Sequence, residues 1–367
     1  MNRPRTRWLV SFLVTVSLLV GGKAGAQSVP FEPLPPRPGA VVPPAPTVSA
    51  PSWVLFDETA DWLIAALAAD VRRPLASTTK LMTALVAADR ASFDEMVTVS
   101  AGAAEAGEAE IGLVAGEVMA MGDLVSAILV RSANDAAEAI AEHIGGTVES
   151  FADLMNQKAA EMGLLNSHFV NPHGLDAPEH YSSAADLLQM ARAVLANPQL
   201  AAMVRLTSID FPTAPDGTLR GGQSTNSLLD SYDGAVGIKT GFTLQASLVL
   251  AAAAERNGRL LLAVVMGSEG IGGHFADSAA LLDYGFGAAS IQQAPDDSVA
   301  GDSLAVVRFE QSARFETLTW LAAAGLLGGD SPMSQPEVVN RVASDLPGWR
   351  DALSWTPRYW AWLSGDR

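Results

Sequence analysis

The sequence predicts an α+β protein: an antiparallel sheet flanked by helices, plus an all-helical lobe. Three observations lead there. Two short strand signals near residue 55 precede an apolar helix, residues 101–205 run mainly at three-to-four spacing, and strands return around an Asn-Gly turn at 257–258.

Taken in order, the chain opens on Arg3, Arg5 and Arg7, an apolar run of 13 residues from Trp8 to Val20, and the small residues Ala24-Gly25-Ala26. This is the pattern of an export signal over residues 1–26. The run is too short for a membrane span and is interrupted by Ser11, Thr15 and Ser17. Residues 27–52 are rich in proline, with Pro35-Pro36 and Pro43-Pro44, and read as a semi-rigid linker. Residues 53–292 read as the catalytic domain. Val54–Phe56 and Trp62–Ile64 are strands about a turn. Residues 77–89, after Pro74, form a helix apolar almost all round, hence a buried one. Helices over Asp123–Val130, Ala133–Ile144, Val148–Met162 and Ala184–Ala196 build the lobe. The turn Asn171-Pro172-His173-Gly174 lies among them. Leu248–Ala254 and Leu260–Met266 make a hairpin, and a helix covers Phe275–Tyr284. Residues 293–367 are a C-terminal appendage of uncertain structure. Its end carries Trp349, Trp355, Tyr359, Trp360 and Trp362, a tail suited to peripheral membrane contact, although the basic face of a membrane-surface helix is missing and a small packed appendage is the simpler reading.

Composition narrows the function. The formal net charge is -17, and losing residues 1–26 removes four cations and no acids, leaving -21. Such acidity argues against nucleic acid and against electrostatic binding to anionic lipid. With no cysteine, disulfides, thiolate catalysis and thiolate-bound metals are excluded. Lysine is scarce, at positions 23, 80, 158 and 239 only, so a lysine that is kept has its own chemistry to explain it.

Two of those lysines fall in short motifs. In Ser77-Thr78-Thr79-Lys80 the two outer residues share a helix face, so the Lys80 amine reaches the Ser77 hydroxyl. A serine hydroxyl becomes a nucleophile when a base takes its proton; a desolvated lysine is such a base, and arginine, which does not deprotonate, is not. Ser132-Ala133-Asn134 begins a helix, where Ser132 is either an N-cap or a proton relay and Asn134 an amide for a substrate carbonyl. Lys239-Thr240-Gly241 sits in a strand position, where a cation beside a hydroxyl suits a carboxylate and the glycine marks a close approach.

With these motifs the chain resembles the low-molecular-mass penicillin-binding proteins, the serine D-alanyl-D-alanine carboxypeptidases. The segments Pro74–Thr83, Asn134–Ala137, His168–Leu175 and Gly237–Thr243 all look like that family, in order, over roughly residues 53–290. The resemblance implies the fold shared with serine β-lactamases. It implies that Ser77 attacks the carbonyl between two D-Ala residues with Lys80 as base, that Ser132 passes the proton to the leaving nitrogen, and that Asn134 orients the acyl side. Lys239 and Thr240, with Gly241 behind them, would hold the terminal carboxylate, and the backbone N–H groups of Ser77 and Phe242 would form the oxyanion hole. The implied partners are peptidoglycan stem peptides ending in D-Ala-D-Ala, and β-lactams as covalent inhibitors; no metal or cofactor is needed. The chain departs from the family at Ala246-Ser247, where Ala-Gly is usual and Ser247 is expected to crowd the strand. It departs again after residue 292, which does not read as the family's all-β domain with a basic anchor.

The motifs leave other functions to weigh. A class A β-lactamase would need a Glu-x-x-x-Asn loop, and Glu161 and Asn166 have the wrong spacing. A D,D-endopeptidase would use the same residues. A wall-binding protein without catalysis would have no use for a base. His168, His173 and His180 lack a carboxylate at ligand spacing and read as turn and surface residues; His143 and His274 read as structural.

Overall fold

The computed structural model describes residues 44–293. The export signal, most of the linker and the C-terminal appendage lie outside the described residues. In chain order the elements are β1 (Ser52–Asp57), β2 (Trp62–Leu67), a 3₁₀ turn (Ala76–Thr79), α1 (Lys80–Arg90), β3 (Met96–Thr98), α2 (Ala101–Ala104) and β4 (Val118–Ala120). Then follow α3 (Met121–Ser126), a π-helical turn (Ala127–Arg131), α4 (Asn134–Gly145), α5 (Val148–Glu161), α6 (Ala184–Ala196) and α7 (Pro198–Val204). The chain continues with β5 (Ser208–Phe211), β6 (Arg220–Gln223), α8 (Leu228–Ser231), β7 (Ala235–Thr243), β8 (Ser247–Arg256), β9 (Arg259–Ser268) and α9 (Gly273–Gln293).

The main sheet has the order β2-β1-β9-β8-β7, and every adjacent pair is antiparallel. Its middle strands are continuous runs of Leu, Val and Ala because both faces are covered. On one face Leu55, Leu261, Ala263 and Val265 pack with Leu281 and Leu282 of α9. On the other, Val54, Leu262 and Val264 join Leu187 and Leu188 of α6 and the helices of the lobe in one core. The β8–β9 hairpin closes on Asn257 (φ 52°) and Gly258 (φ 74°), the left-handed pair that a two-residue turn requires. None of the described helices is long and apolar enough to cross a membrane.

Four expectations change. The linker does not run to residue 52: Ser52 opens β1, and Asp277 of α9 accepts bonds from Ser49 N (2.9 Å), Ser49 Oγ (2.7 Å) and Ala50 N (3.0 Å). The buried helix starts at Lys80, with Ser77 in the 3₁₀ turn ahead of it; residues three apart in a 3₁₀ turn eclipse, which stacks Ser77 over Lys80. Ser132 is not the N-cap of α4. It closes the π-helical turn in the left-handed conformation (φ 63°), and Ala133 precedes α4 with no side-chain cap. Ser247 does not crowd β7: it takes a left-handed conformation (φ 56°), and its hydroxyl donates to Ser268 O of β9 at 2.8 Å.

Asp277→Ala removes three bonds to one nearly buried carboxylate. It should lower the unfolding free energy by about 2–4 kcal/mol, read from urea denaturation, on the strength of hydrogen bonds to charged groups.

Candidate active site

The site forms where the 3₁₀ turn meets β7, the strand at one edge of the sheet. Gly241 is required there: a Cβ on it would lie 3.0 Å from Ser77 N and 3.1 Å from both Ala76 Cβ and Thr78 N. The strand thus passes against the backbone of the nucleophile turn. Its neighbours in β7 are Lys239 and Thr240, both buried, and Phe242, which stands 61% exposed at the rim.

Lys80 is fully buried among Leu75, Leu81 and Met82, and its amine makes three contacts. Nζ donates to Asn134 Oδ1 at 2.7 Å and to His173 O at 2.7 Å, and lies 3.0 Å from Ser77 Oγ. Burial holds Lys80 well below the usual lysine range, and the nearby Lys239 lowers it further; Asp135 and Glu108 oppose this more weakly. A neutral amine has two N–H groups and one lone pair. The two carbonyl acceptors take the N–H groups, which leaves the lone pair for the Ser77 hydroxyl.

Asn134 is fixed in turn. Its Nδ2 donates to Gly107 O at 3.0 Å, and the next residue, Asp135, holds the following loop by accepting from Ile111 N (3.1 Å), Leu113 N (3.0 Å) and its own neighbour Ala136 N (2.8 Å). Ser132 is 7% exposed, and its hydroxyl has no hydrogen-bond partner among the described residues. It lies two residues before Asn134, on the left-handed cap. Lys239 donates to Thr240 O at 2.8 Å; burial lowers its amine to about 7. The Thr240 hydroxyl is within 2.7 Å of Thr225 Oγ1.

Several contributors escaped the sequence reading. The turn Asn171–Gly174 was visible, but not that its carbonyls reach into the buried helix: His173 O meets Lys80, and Pro172 O accepts from Thr83 Oγ1 at 2.5 Å. Gly174 (φ +91°) lets this turn cross Ala76 O, from which a Cβ would be 2.0 Å away. His180 is buried, not a surface residue. Its Nδ1 accepts from Val170 N at 3.0 Å, so Nε2 carries the proton and donates to Thr79 Oγ1 at 2.8 Å; that hydroxyl donates to Ala76 O at 2.8 Å. Burial lowers His180 to about 4 and His173 to about 3, so both are neutral near pH 7. The chain of bonds from His180 ends on the residue before Ser77, which is itself held at φ 48°. Among the described residues no group of three His, Cys, Asp or Glu side chains is placed to hold a metal.

The sheet, the helical lobe and the buried serine–lysine pair define a serine hydrolase with the DD-peptidase fold. The family model for D-alanyl-D-alanine carboxypeptidases matches residues 40–270. The D-alanyl-D-alanine carboxypeptidase DacD of Escherichia coli K12 is 33% identical over 294 residues, spanning 77% of this chain and 71% of that protein. DacB2 of Mycobacterium tuberculosis H37Rv is 34% identical over 248 residues, spanning 66% and 84%. Among solved structures, the D-alanyl-D-alanine carboxypeptidase DacD from Francisella tularensis aligns with a TM-score of 0.64 and 29% identity, over 68% of this chain and 73% of that one. The Streptomyces K15 DD-transpeptidase aligns with a TM-score of 0.63 and 29% identity, over 66% and 99%. The chain belongs to the D-alanyl-D-alanine carboxypeptidase family.

His180 tests how firmly the nucleophile turn is held. His180→Leu should slow acylation of Ser77 by a β-lactam by on the order of tenfold to a hundredfold, with the non-covalent binding step little changed. His180→Gln, which can accept from Val170 N–H and donate to Thr79, should recover most of the rate. A stopped-flow acylation series separates the two steps.

Proposed function

We propose that the protein removes the terminal D-Ala from peptidoglycan stem peptides ending in D-Ala-D-Ala, through an acyl-enzyme on Ser77. The observation that carries this is the Lys80 amine, 3.0 Å from Ser77 Oγ and held on its other sides by two carbonyl oxygens. Lys80 takes the hydroxyl proton as Ser77 Oγ bonds to the peptide carbonyl carbon. The developing oxyanion is received by the N–H groups of Ser77 and Phe242, which the close packing of Gly241 on the nucleophile turn brings onto adjoining segments. Ser132 delivers a proton to the D-Ala nitrogen as the peptide bond breaks. Lys239 and Thr240 hold the carboxylate of that D-Ala, with Thr225 orienting the Thr240 hydroxyl. Water then attacks the ester and frees the shortened peptide and Ser77.

The same reading places the enzyme outside the cytoplasm, where its substrate lies: residues 1–26 are the export signal, the proline-rich segment is a spacer, and residues 293–367 are an appendage to the catalytic domain. A carboxypeptidase is favoured over an endopeptidase by the buried cation at Lys239, which suits a free terminal carboxylate.

Three variants test the assignment. Ser77→Ala should take up no label from fluorescent penicillin. Lys80→Arg should fold, yet acylate at least about a hundredfold more slowly, since its guanidinium keeps its proton. In wild type, kcat/KM for D-Ala release from a pentapeptide should rise with pH as Lys80 becomes neutral. It should fall again above about 7 as Lys239 loses the charge that binds the carboxylate. Lys239→Arg should retain substantial activity and lose the falling limb, because arginine stays charged. Faster release of monomer from a cross-linked dimer than of D-Ala from the pentapeptide would assign an endopeptidase instead.

A further inference from the structure

A cavity of about 340 Å³ opens between the 110–114 segment, the end of the π-helical turn and the β5–β6 hairpin. Each of its walls is tied to the candidate active site. The 110–114 segment hangs by Ile111 N and Leu113 N on Asp135, beside Asn134. Arg131 directly precedes Ser132. The hairpin ends at Gln223, two residues before Thr225, whose hydroxyl meets that of Thr240.

The charges in this cavity are unevenly matched. Arg220, whose side chain is 3% exposed, is neutralised by Glu117 at 2.9 Å and braces the wall through Gly112 O at 2.7 Å; its Nε is buried without a partner. Arg131 donates to Gln223 O, its Nε is also buried without a partner, and no carboxylate lies within ion-pair distance of it among the described residues. In a chain with 40 acidic side chains and 23 lysines and arginines, a half-buried arginine left without a carboxylate needs a reason. On the same cavity Glu110 is exposed and has no hydrogen bond or ion pair among the described residues, and Asp216 accepts from Thr218 N in its own turn at 2.9 Å. The cavity therefore offers one unmatched cation and an unmatched carboxylate. A chain that ends in both an ammonium and a carboxylate complements the two together.

We infer that this cavity is a subsite for the side chain of the third stem-peptide residue, on the acyl side of the cleaved bond, and that it selects a side chain ending in an amino-acid group. Arg131 receives its carboxylate and Glu110 its ammonium. The inference rests on the carboxypeptidase reading and adds a choice among its substrates.

The experiment uses three pentapeptides ending in D-Ala-D-Ala that differ only at the third residue: diaminopimelate, lysine and N-acetyl-lysine. Release of D-Ala by the wild type should be most efficient with diaminopimelate, exceeding lysine by at least about tenfold in kcat/KM, the range expected of a charge-assisted hydrogen bond. Arg131→Met should bring diaminopimelate down to the level of lysine while leaving acylation by benzylpenicillin, which has no such side chain, unchanged. Glu110→Gln, on an exposed loop position, should narrow the gap between lysine and N-acetyl-lysine and serves if Arg131→Met does not fold. Equal rates for the three peptides in wild type overturn the subsite, as does an equal loss on all three in Arg131→Met, which would mean a carboxylate common to every peptide or a structural role. If no peptide yields D-Ala, the carboxypeptidase reading itself fails. The subsite is then judged by competition of the same peptides against fluorescent penicillin, where failure of diaminopimelate to compete best overturns it.

Discussion

A lysine amine buried in an apolar core, with two carbonyl oxygens and one serine hydroxyl around it, is the constraint on which the rest of the site depends. Water would keep such an amine charged and useless as a base. Burial removes the water, and Lys239 in the facing strand adds a second reason to give up the proton. The two acceptors, Asn134 Oδ1 and His173 O, then decide where the lone pair is left. Binding those acceptors to a neutral amine costs nothing in unmatched charge, so the arrangement persists without a carboxylate partner.

The fold can be read as the means of bringing those groups to one amine. Asn134 comes from the helical lobe, where the left-handed Ser132 ends one helix and Asp135 secures the loop above it. His173 O comes from a turn that passes under the nucleophile because Gly174 permits it. Ser77 comes from a 3₁₀ turn braced by Thr79 and His180. Lys239 comes from an edge strand that can approach only because Gly241 has no side chain. Folding with two depressed lysines carries a consequence for stability. Between their folded values and 10.5 the unfolded chain binds more protons than the folded one, so stability rises with pH across that interval.

Much of this was legible in the sequence, and the reason is local. Ser77 and Lys80 are three residues apart, the Asn-Gly hairpin closes within two residues, and the all-apolar helix announces its own burial. These are short-range patterns, and the structure keeps them. What was missed depends on contacts between distant segments. The β5–β6 hairpin has in Arg220–Gln223 no alternation to mark it, since two of its four residues are glycine. Backbone carbonyls such as His173 O have no residue type to give them away. Ser132 looked equally like a helix cap because serine favours that position, and only the preceding π-helical turn decides against it. His180 had no partner in sequence; its role needed Thr79 and Val170 to be seen beside it.

The central claim is that Lys80 is neutral when Ser77 reacts. The chain has four lysines, few enough for each side chain to be followed separately by NMR after selective isotopic labelling. The signal that disappears in Lys80→Arg should titrate well below 10.5 in the free enzyme, and its midpoint should fall no further when Ser77 is replaced by alanine. A Lys80 signal that stays protonated up to the ordinary lysine range would contradict the account, and another acceptor for the serine proton would have to be found.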